Sequence, residues 1–270
     1  MFSLGFATVV GPTMVRTSLL FSAALLATGG SLRAQSDASS TVTIVTDRPA
    51  VANSSLVVPQ GGFQMENGFL FTDTQGQYIV DLPESNFRYG LLKKTELRLA
   101  APDYFDTVSG TPTVAGFGDV ALGMKQQLGP IAGFDVSAIV FLSFPTGAKQ
   151  VSSHGYDPGL QVPWSRSLSK NWTAGGQAAF YWPTLDGKHN FTGETTFFLD
   201  RQLTAPWDAF VEYAGDFPER GGSRQQIHIG TAYKLAPHHQ IDFHVGVRLT
   251  SAAAKAYFGF GYSFLILPRR

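Results

Sequence analysis

Eight residues near the C-terminus, Tyr257 to Phe264, restrict the fold of this chain more than any other stretch. Phe258, Phe260, Tyr262 and Phe264 occupy one parity, and Gly259, Gly261 and Ser263 occupy the other. Successive side chains of a β-strand point to opposite faces, so this segment has one bulky aromatic face and one nearly bare face. A soluble sandwich turns its bulk inward and its polar groups to water. A transmembrane barrel turns its apolar face to lipid and its small or polar face to the lumen.

The same alternation recurs along the chain. Twelve strands are predicted near 62–73, 77–91, 94–106, 116–129, 132–144, 157–169, 171–183, 189–204, 206–217, 224–236, 239–250 and 254–267. Each is close to the ~9–11 residues that a tilted membrane strand needs. In the fifth, Phe134, Val136, Val140 and Phe144 oppose Asp135, Ser137 and Ser143; in the eleventh, Ile241, Phe243, Val245 and Val247 oppose Asp242, His244 and Arg248. The second strand breaks the rule, because Asp81 and Phe87 share a parity; a bulge near Pro83 repairs it. Pro163 is expected to interrupt the sixth in the same way.

The joins alternate in length. Leu92-Lys93-Lys94, Gly129-Pro130-Ile131, Ser169-Lys170-Asn171, Ala205-Pro206 and Pro237-His238 read as tight turns, whereas 107–115 and 145–156 are long and rich in Gly, Pro, Ser and Thr. Short turns on one rim and longer loops on the other, with an even strand number, describe a bacterial outer-membrane barrel with both termini on the periplasmic side. Trp172, Trp182 and Trp207 fall at the depth of an aromatic girdle. Nearly all charges fall on the lumen parity. Arg166 and Arg201 are the exceptions, close enough to a short turn for a long stem to reach the interface.

The first 34 residues read as a cleaved signal peptide: Arg16, then the apolar core Leu19 to Ala27, then Leu32-Arg33-Ala34. Translation starting at Met14 would give a leader of more usual length. Residues 35–61 are Ser-, Thr-, Asn- and Pro-rich and read as an irregular periplasmic segment that plugs the lumen; the barrel occupies 62–267. Composition agrees, with 29 Gly, 22 Phe, no Cys and only 15% charged residues. Loss of the leader removes Arg16 and Arg33, leaving 18 basic against 20 acidic residues, net −2. That leaves no basic footprint for nucleic acid, and the absence of Cys excludes thiolate chemistry.

The candidate solute-pathway residues are those with charged or titratable side chains on the lumen parity: Glu96, Arg98, Asp119, Lys125, Glu194, Glu212, His228, Asp242, His244 and Arg248, together with Asp200 and Lys234. Mixed signs suit either salt bridges that stiffen the wall or a polar constriction. His228 and His244 are expected on neighbouring strands, with Glu212 and Asp242 near them. A membrane-embedded hydrolase would use such a cluster, but a nucleophile signature such as G-x-S-x-G is missing. No catalytic residue, metal site or cofactor is expected. A barrel whose long loops do adhesive or structural work is a further alternative.

Several stretches together resemble the outer-membrane transporter family named after the meta-pathway of phenol degradation. They are Thr46-Asp47-Arg48-Pro49, Arg88-Tyr89-Gly90-Leu91 leading into Glu96-Leu97-Arg98, Gly116 to Val120, Phe144-Pro145-Thr146-Gly147, Gly155 to Gly159 and the closing Gly261-Tyr262-Ser263-Phe264. The resemblance spans roughly 44–264. It implies a β-barrel channel for small hydrophobic or aromatic solutes, with outer-membrane lipid and the barrel-assembly machinery as partners. Such barrels tend to end on the final aromatic; this chain continues from Leu265 to Arg270.

The expected architecture is all-β, a twelve-stranded antiparallel transmembrane barrel in up-and-down order, placed in the outer membrane. A soluble secreted sandwich would wash from membranes with alkaline carbonate. This chain is expected to stay in the membrane pellet, and its release would exclude the barrel.

Overall fold

The computed structural model describes residues 42–110 and 113–269; the expected leader, residues 1–34, lies outside them, as does the start of the following segment. The strands are β1 (Phe63–Thr74), β2 (Gln77–Leu82), β3 (Asn86–Leu92), β4 (Thr95–Ala100), β5 (Tyr104–Ser109), β6 (Ala115–Phe117), β7 (Val120–Ile131), β8 (Phe134–Phe144), β9 (Asp157–Ser167), β10 (Trp172–Tyr181), β11 (Thr184–Leu185), β12 (Lys188–His189), β13 (Thr192–Thr204), β14 (Trp207–Pro218), β15 (Arg224–Ala236), β16 (His239–Arg248) and β17 (Ala256–Ile266). β11 and β12 form a separate small hairpin; the other fifteen make one antiparallel sheet. β17 also pairs with β1, from Phe63↔Ile266 to Asp73↔Ala256, so the sheet closes on itself. Closure removes the edges that would leave backbone groups unpaired in hydrocarbon.

Three wall strands are interrupted, which reconciles the strand count with the expected twelve. β2 with β3, β4 with β5, and β6 with β7 are each one strand of the wall, broken at 83–85, 101–103 and 118–119. The breaks lie side by side: Leu82 faces Tyr104 and Tyr104 faces Phe117, while Asn86 faces Ala100 and Ala100 faces Ala121. The first break holds the extra residue expected near Pro83. Leu70 of β1 faces Asp81 and Glu66 faces Asn86, so residues 67–69 oppose residues 82–85. Phe87 thereby turns outward to stack on Phe63, and Asn86 and Arg88 turn inward and are buried.

Three local expectations are corrected. Pro163 does not interrupt its strand: β9 runs through it, and Pro163 faces Gln177 in the ladder with β10. On the β8 side no pairing joins 137–138 to 162–163, which leaves the missing N–H of proline without consequence. The turn expected at Gly129-Pro130-Ile131 lies later, at Ala132-Gly133, where both residues have positive φ (52° and 81°), as a two-residue hairpin turn requires. Gly129, at φ 95°, instead carries the bulge that shifts the β7–β8 register. At the other rim, His189 belongs to the β11–β12 hairpin rather than to the wall, which resumes at Thr192.

The two faces separate by polarity. Phe258 and Phe260 are 39% and 53% exposed on the outer surface, whereas Asp242 and Glu212 are 5% and 0% exposed. Trp172, Trp182 and Trp207 are exposed near the rims. Arg166 lies over the Phe134 ring and Arg201 over the Trp172 ring, each just over 5 Å from the centroid. Both outward-facing cations are therefore partnered by aromatic faces beside a short turn. The closing strand runs past Phe264 to Ile266; Leu265 turns inward and is buried with Ile44 and Val58.

A charge costs about 2–4 kcal/mol on the lipid face at mid-membrane and about 0–1 kcal/mol near the interface. Phe260→Arg is therefore expected to lower unfolding free energy in lipid vesicles by roughly that larger amount, and Ile266→Arg by the smaller one. Equal costs at the two positions would mean that the outer surface is not in hydrocarbon.

Candidate solute pathway

Residues 42–61 carry no regular structure and run into the lumen, where Asp47, Arg48, Ala52, Asn53, Ser55 and Val58 are buried. Inward-pointing side chains on strands far apart in sequence hold them. The Asp47 carboxylate receives Arg98 at 2.5 Å and Lys125 at 3.3 Å, with Arg88 at 3.4 Å. Burial alone would raise the Asp47 pKa, but Arg88, Arg98 and Lys125 outweigh it and hold the carboxyl well below its usual range. Glu96 lies among the same cations, 2.9 Å from Arg88 and 3.0 Å from Arg98, and accepts the Val58 backbone N–H at 2.7 Å. Glu66 accepts the backbone N–H groups of Asp47 and Arg48 and takes Arg88 at 2.7 Å.

Arg48 reaches across the lumen. Its guanidinium meets Glu84 at 2.5 Å and Asp242 at 3.3 Å. Burial opposes its charge, but Glu84 and Asp242 more than compensate and raise its pKa. The chain break at 83–85 turns Glu84 inward, and glycine at 68 leaves room: a Cβ there would collide with Arg48 and Glu84. Farther round the wall, Glu212 accepts Val51 N–H at 2.7 Å and Ala52 N–H at 2.9 Å. Asn53 donates to Gln177 at 2.9 Å and Gln161 at 3.2 Å.

Of the residues expected along the pathway, Glu96, Arg98 and Lys125 thus meet in one network. Glu212 and Asp242 hold the N-terminal segment at separate points; Glu212 also lies beside His228, whereas Asp242 is paired with Arg48. His228 and His244 are neighbours, with ring centroids 5.8 Å apart and Tyr257 beside both. His228 Nε2 lies 3.2 Å from Glu212, without hydrogen-bond alignment. Glu194 accepts from Gln177 and Tyr181 at 2.9 and 3.2 Å. Asp119 braces the 145–156 loop, accepting the N–H groups of Gly147 and Ser153. Arg248 is exposed at the end of β16. Lys234 pairs with Asp208 at 3.6 Å.

The wall residues Glu66, Arg88, Gln161 and Gln177 were not anticipated as part of the site. Lumen parity was the available signal for Glu66, Gln161 and Gln177; for Arg88 the extra residue at 83–85 conceals it. The segment leaves part of the lumen open: a cavity of about 260 Å³ lies between residues 44–56 and the wall at Thr173, Phe198, Asp200, Phe210 and Lys234.

Solved structures share this architecture. An outer membrane channel from Pseudomonas putida F1 matches with a TM-score of 0.60 at 12% identity, over 81% of this chain and 100% of that one. The NanC porin matches at 0.55 and 10% identity, over 75% and 98%; the KdgM porin at 0.52 and 8%, over 74% and 98%. No curated protein matches by sequence. The sequence model of the family described as "Putative MetA-pathway of phenol degradation" matches residues 46–266, from the buried Asp47 network to the end of the closing strand. The chain belongs to that family.

Proposed function

We propose that the protein is a passive, non-enzymatic outer-membrane channel for small apolar or aromatic solutes, narrowed from its periplasmic end by residues 42–61. The observation that carries this is the inverted polarity of a closed barrel: apolar outside, charged and amide side chains inside. Lipid covers the outer face, and Phe264, inside β17, is the signal offered to the barrel-assembly machinery. The family description and the fold shared with the P. putida channel support small solutes as cargo. The 260 Å³ cavity is large enough to hold a single ring beside the segment. The hydrolase alternative lacks a nucleophile signature in the sequence. Among the described residues neither His228 nor His244 is hydrogen-bonded to a hydroxyl, and Glu212 is engaged with the backbone of Val51 and Ala52.

Purified protein in liposomes is expected to admit small aromatic solutes and to conduct in planar bilayers; silence in both assays would overturn the channel. Removing one member of a buried ion network costs about 3–5 kcal/mol, because its partners stay buried and unpaired. Asp47→Ala is therefore expected to loosen residues 42–61 and to raise conductance several-fold. A variant that folds and conducts like the parent would show that the segment does not set the pore width.

A further inference from the structure

The inner wall is polar over most of its course, but two side chains break that pattern beside the cavity of about 260 Å³. Phe198 of β13 and Phe210 of β14 point inward and line it. Each ring is seated on a glycine of a neighbouring strand. A Cβ at Gly175 of β10 would collide with the Phe198 ring, and a Cβ at Gly230 of β15 with the Phe210 ring. The strand order is β10-β13-β14-β15, so the two rings lean apart, one to either side. Phe210 is also braced edge-on by His228, at a centroid distance of 5.2 Å and an interplanar angle of 88°. On the facing side, Pro49 and Ala50 of the N-terminal segment complete an apolar boundary.

Between the rings the wall offers one uncommitted acceptor. In the β13–β14 ladder Phe198 faces Glu212 and Asp200 faces Phe210. Glu212 is taken by the Val51 and Ala52 N–H groups, and Asp208 takes Lys234 at 3.6 Å. Asp47 and Arg48, across the cavity, are held by ion pairs of their own. Asp200 is half-buried, lines the cavity and has no ion pair among the described residues. Its carboxylate is open to the cavity, where a solute hydroxyl can exchange for water.

Apolar ring surface turned towards a wet cavity is unfavourable, and a flat apolar solute that covers it recovers that cost. An aromatic solute gains more, because ring pairs prefer offset or edge-to-face contact. An apolar cavity of about 150 Å³ already holds benzene, so space remains here for a substituent. Asp200 and Asp208 against the single ammonium of Lys234 leave this side of the cavity negative, which repels a carboxylate-bearing solute.

We propose that this cavity is a binding station for one aromatic ring bearing a neutral hydroxyl or amino group, with the ring between Phe198 and Phe210 and the donor on Asp200. The inference rests on the channel reading and narrows its cargo to uncharged ring solutes with a hydrogen-bond donor.

The test is titration calorimetry of the full mature chain, folded in detergent micelles, with benzyl alcohol, cyclohexylmethanol and benzoate, each corrected for protein-free micelles. Benzyl alcohol is expected to saturate one site. Cyclohexylmethanol has the same donor and no π face, and should bind about fivefold more weakly; benzoate should not bind. Asp200→Ala should weaken benzyl alcohol about tenfold, as loss of a hydrogen bond to a charged group implies, and should admit benzoate. Phe198→Leu and Phe210→Leu keep apolar bulk and should erase the preference over cyclohexylmethanol; should one fail to fold, the other decides. Asp186→Asn, at the tip of the β11–β12 hairpin, should change nothing. No saturable binding of benzyl alcohol, equal binding of the two alcohols, tighter binding of benzoate, or indifference to Asp200→Ala and the leucine variants would overturn the station. Conductance of the same preparation in planar bilayers separates the two readings. Current without this selectivity removes the station and leaves the channel; selective binding without current removes the channel and leaves a ring-binding cavity.

Discussion

The ladder between β1 and β17 is the interaction on which everything else depends. A sheet in hydrocarbon has no water to satisfy an open edge, and each unpaired backbone group there costs several kcal/mol. Joining the first wall strand to the last disposes of both edges at once. Alternation does the remainder: once the cylinder closes, one parity must face lipid and the other must share a confined interior. The aromatic contacts Phe69–Phe260 and Phe71–Phe258 lie on the outer side of this seam, so the closing ladder is covered by stacked rings.

The interior inherits a difficulty that the exterior does not have. Charges placed at the axis are removed from bulk water, and an isolated buried ion is costly. The chain answers with its own N-terminal segment. Asp47 supplies an anion to three wall cations, Arg48 a cation to two wall anions, and the free N–H groups at 47, 48, 51, 52 and 58 supply donors to Glu66, Glu212 and Glu96. Wall and segment are thus electrostatic complements. Because breaking such a set costs more than forming it gains, the arrangement specifies one path for the segment rather than adding much to the stability of the barrel.

Much of the wall was legible from the chain alone, because side-chain parity is local: Phe258 and Val245 needed only their neighbours to be placed outside. Turns were legible where a single chemistry was present, as at Lys93-Lys94. They were misplaced where two competed, since Gly129-Pro130 resembles a turn but Ala132-Gly133 has the two positive φ values and makes one. The lumen was harder to read. That Glu96, Arg98 and Lys125 point inward follows from parity; that Asp47 is the common partner of Arg98 and Lys125 depends on packing between segments fifty to eighty residues apart. Asp119 shows the opposite error: its parity is right, but a loop of its own chain claims both oxygens. The three side-by-side wall breaks left only one trace, the parity fault between Asp81 and Phe87.

The residues beyond Phe264 have a consequence for the order of assembly. Leu265 is buried against Ile44 and Val58, with Leu267 packed alongside, so the closing strand completes the seat of the segment that precedes the first one. The leading segment has no finished bed until the final strand arrives. Biogenesis then resembles fitting a cork while the last stave is hammered in: sealing the wall and lodging its occupant become a single event.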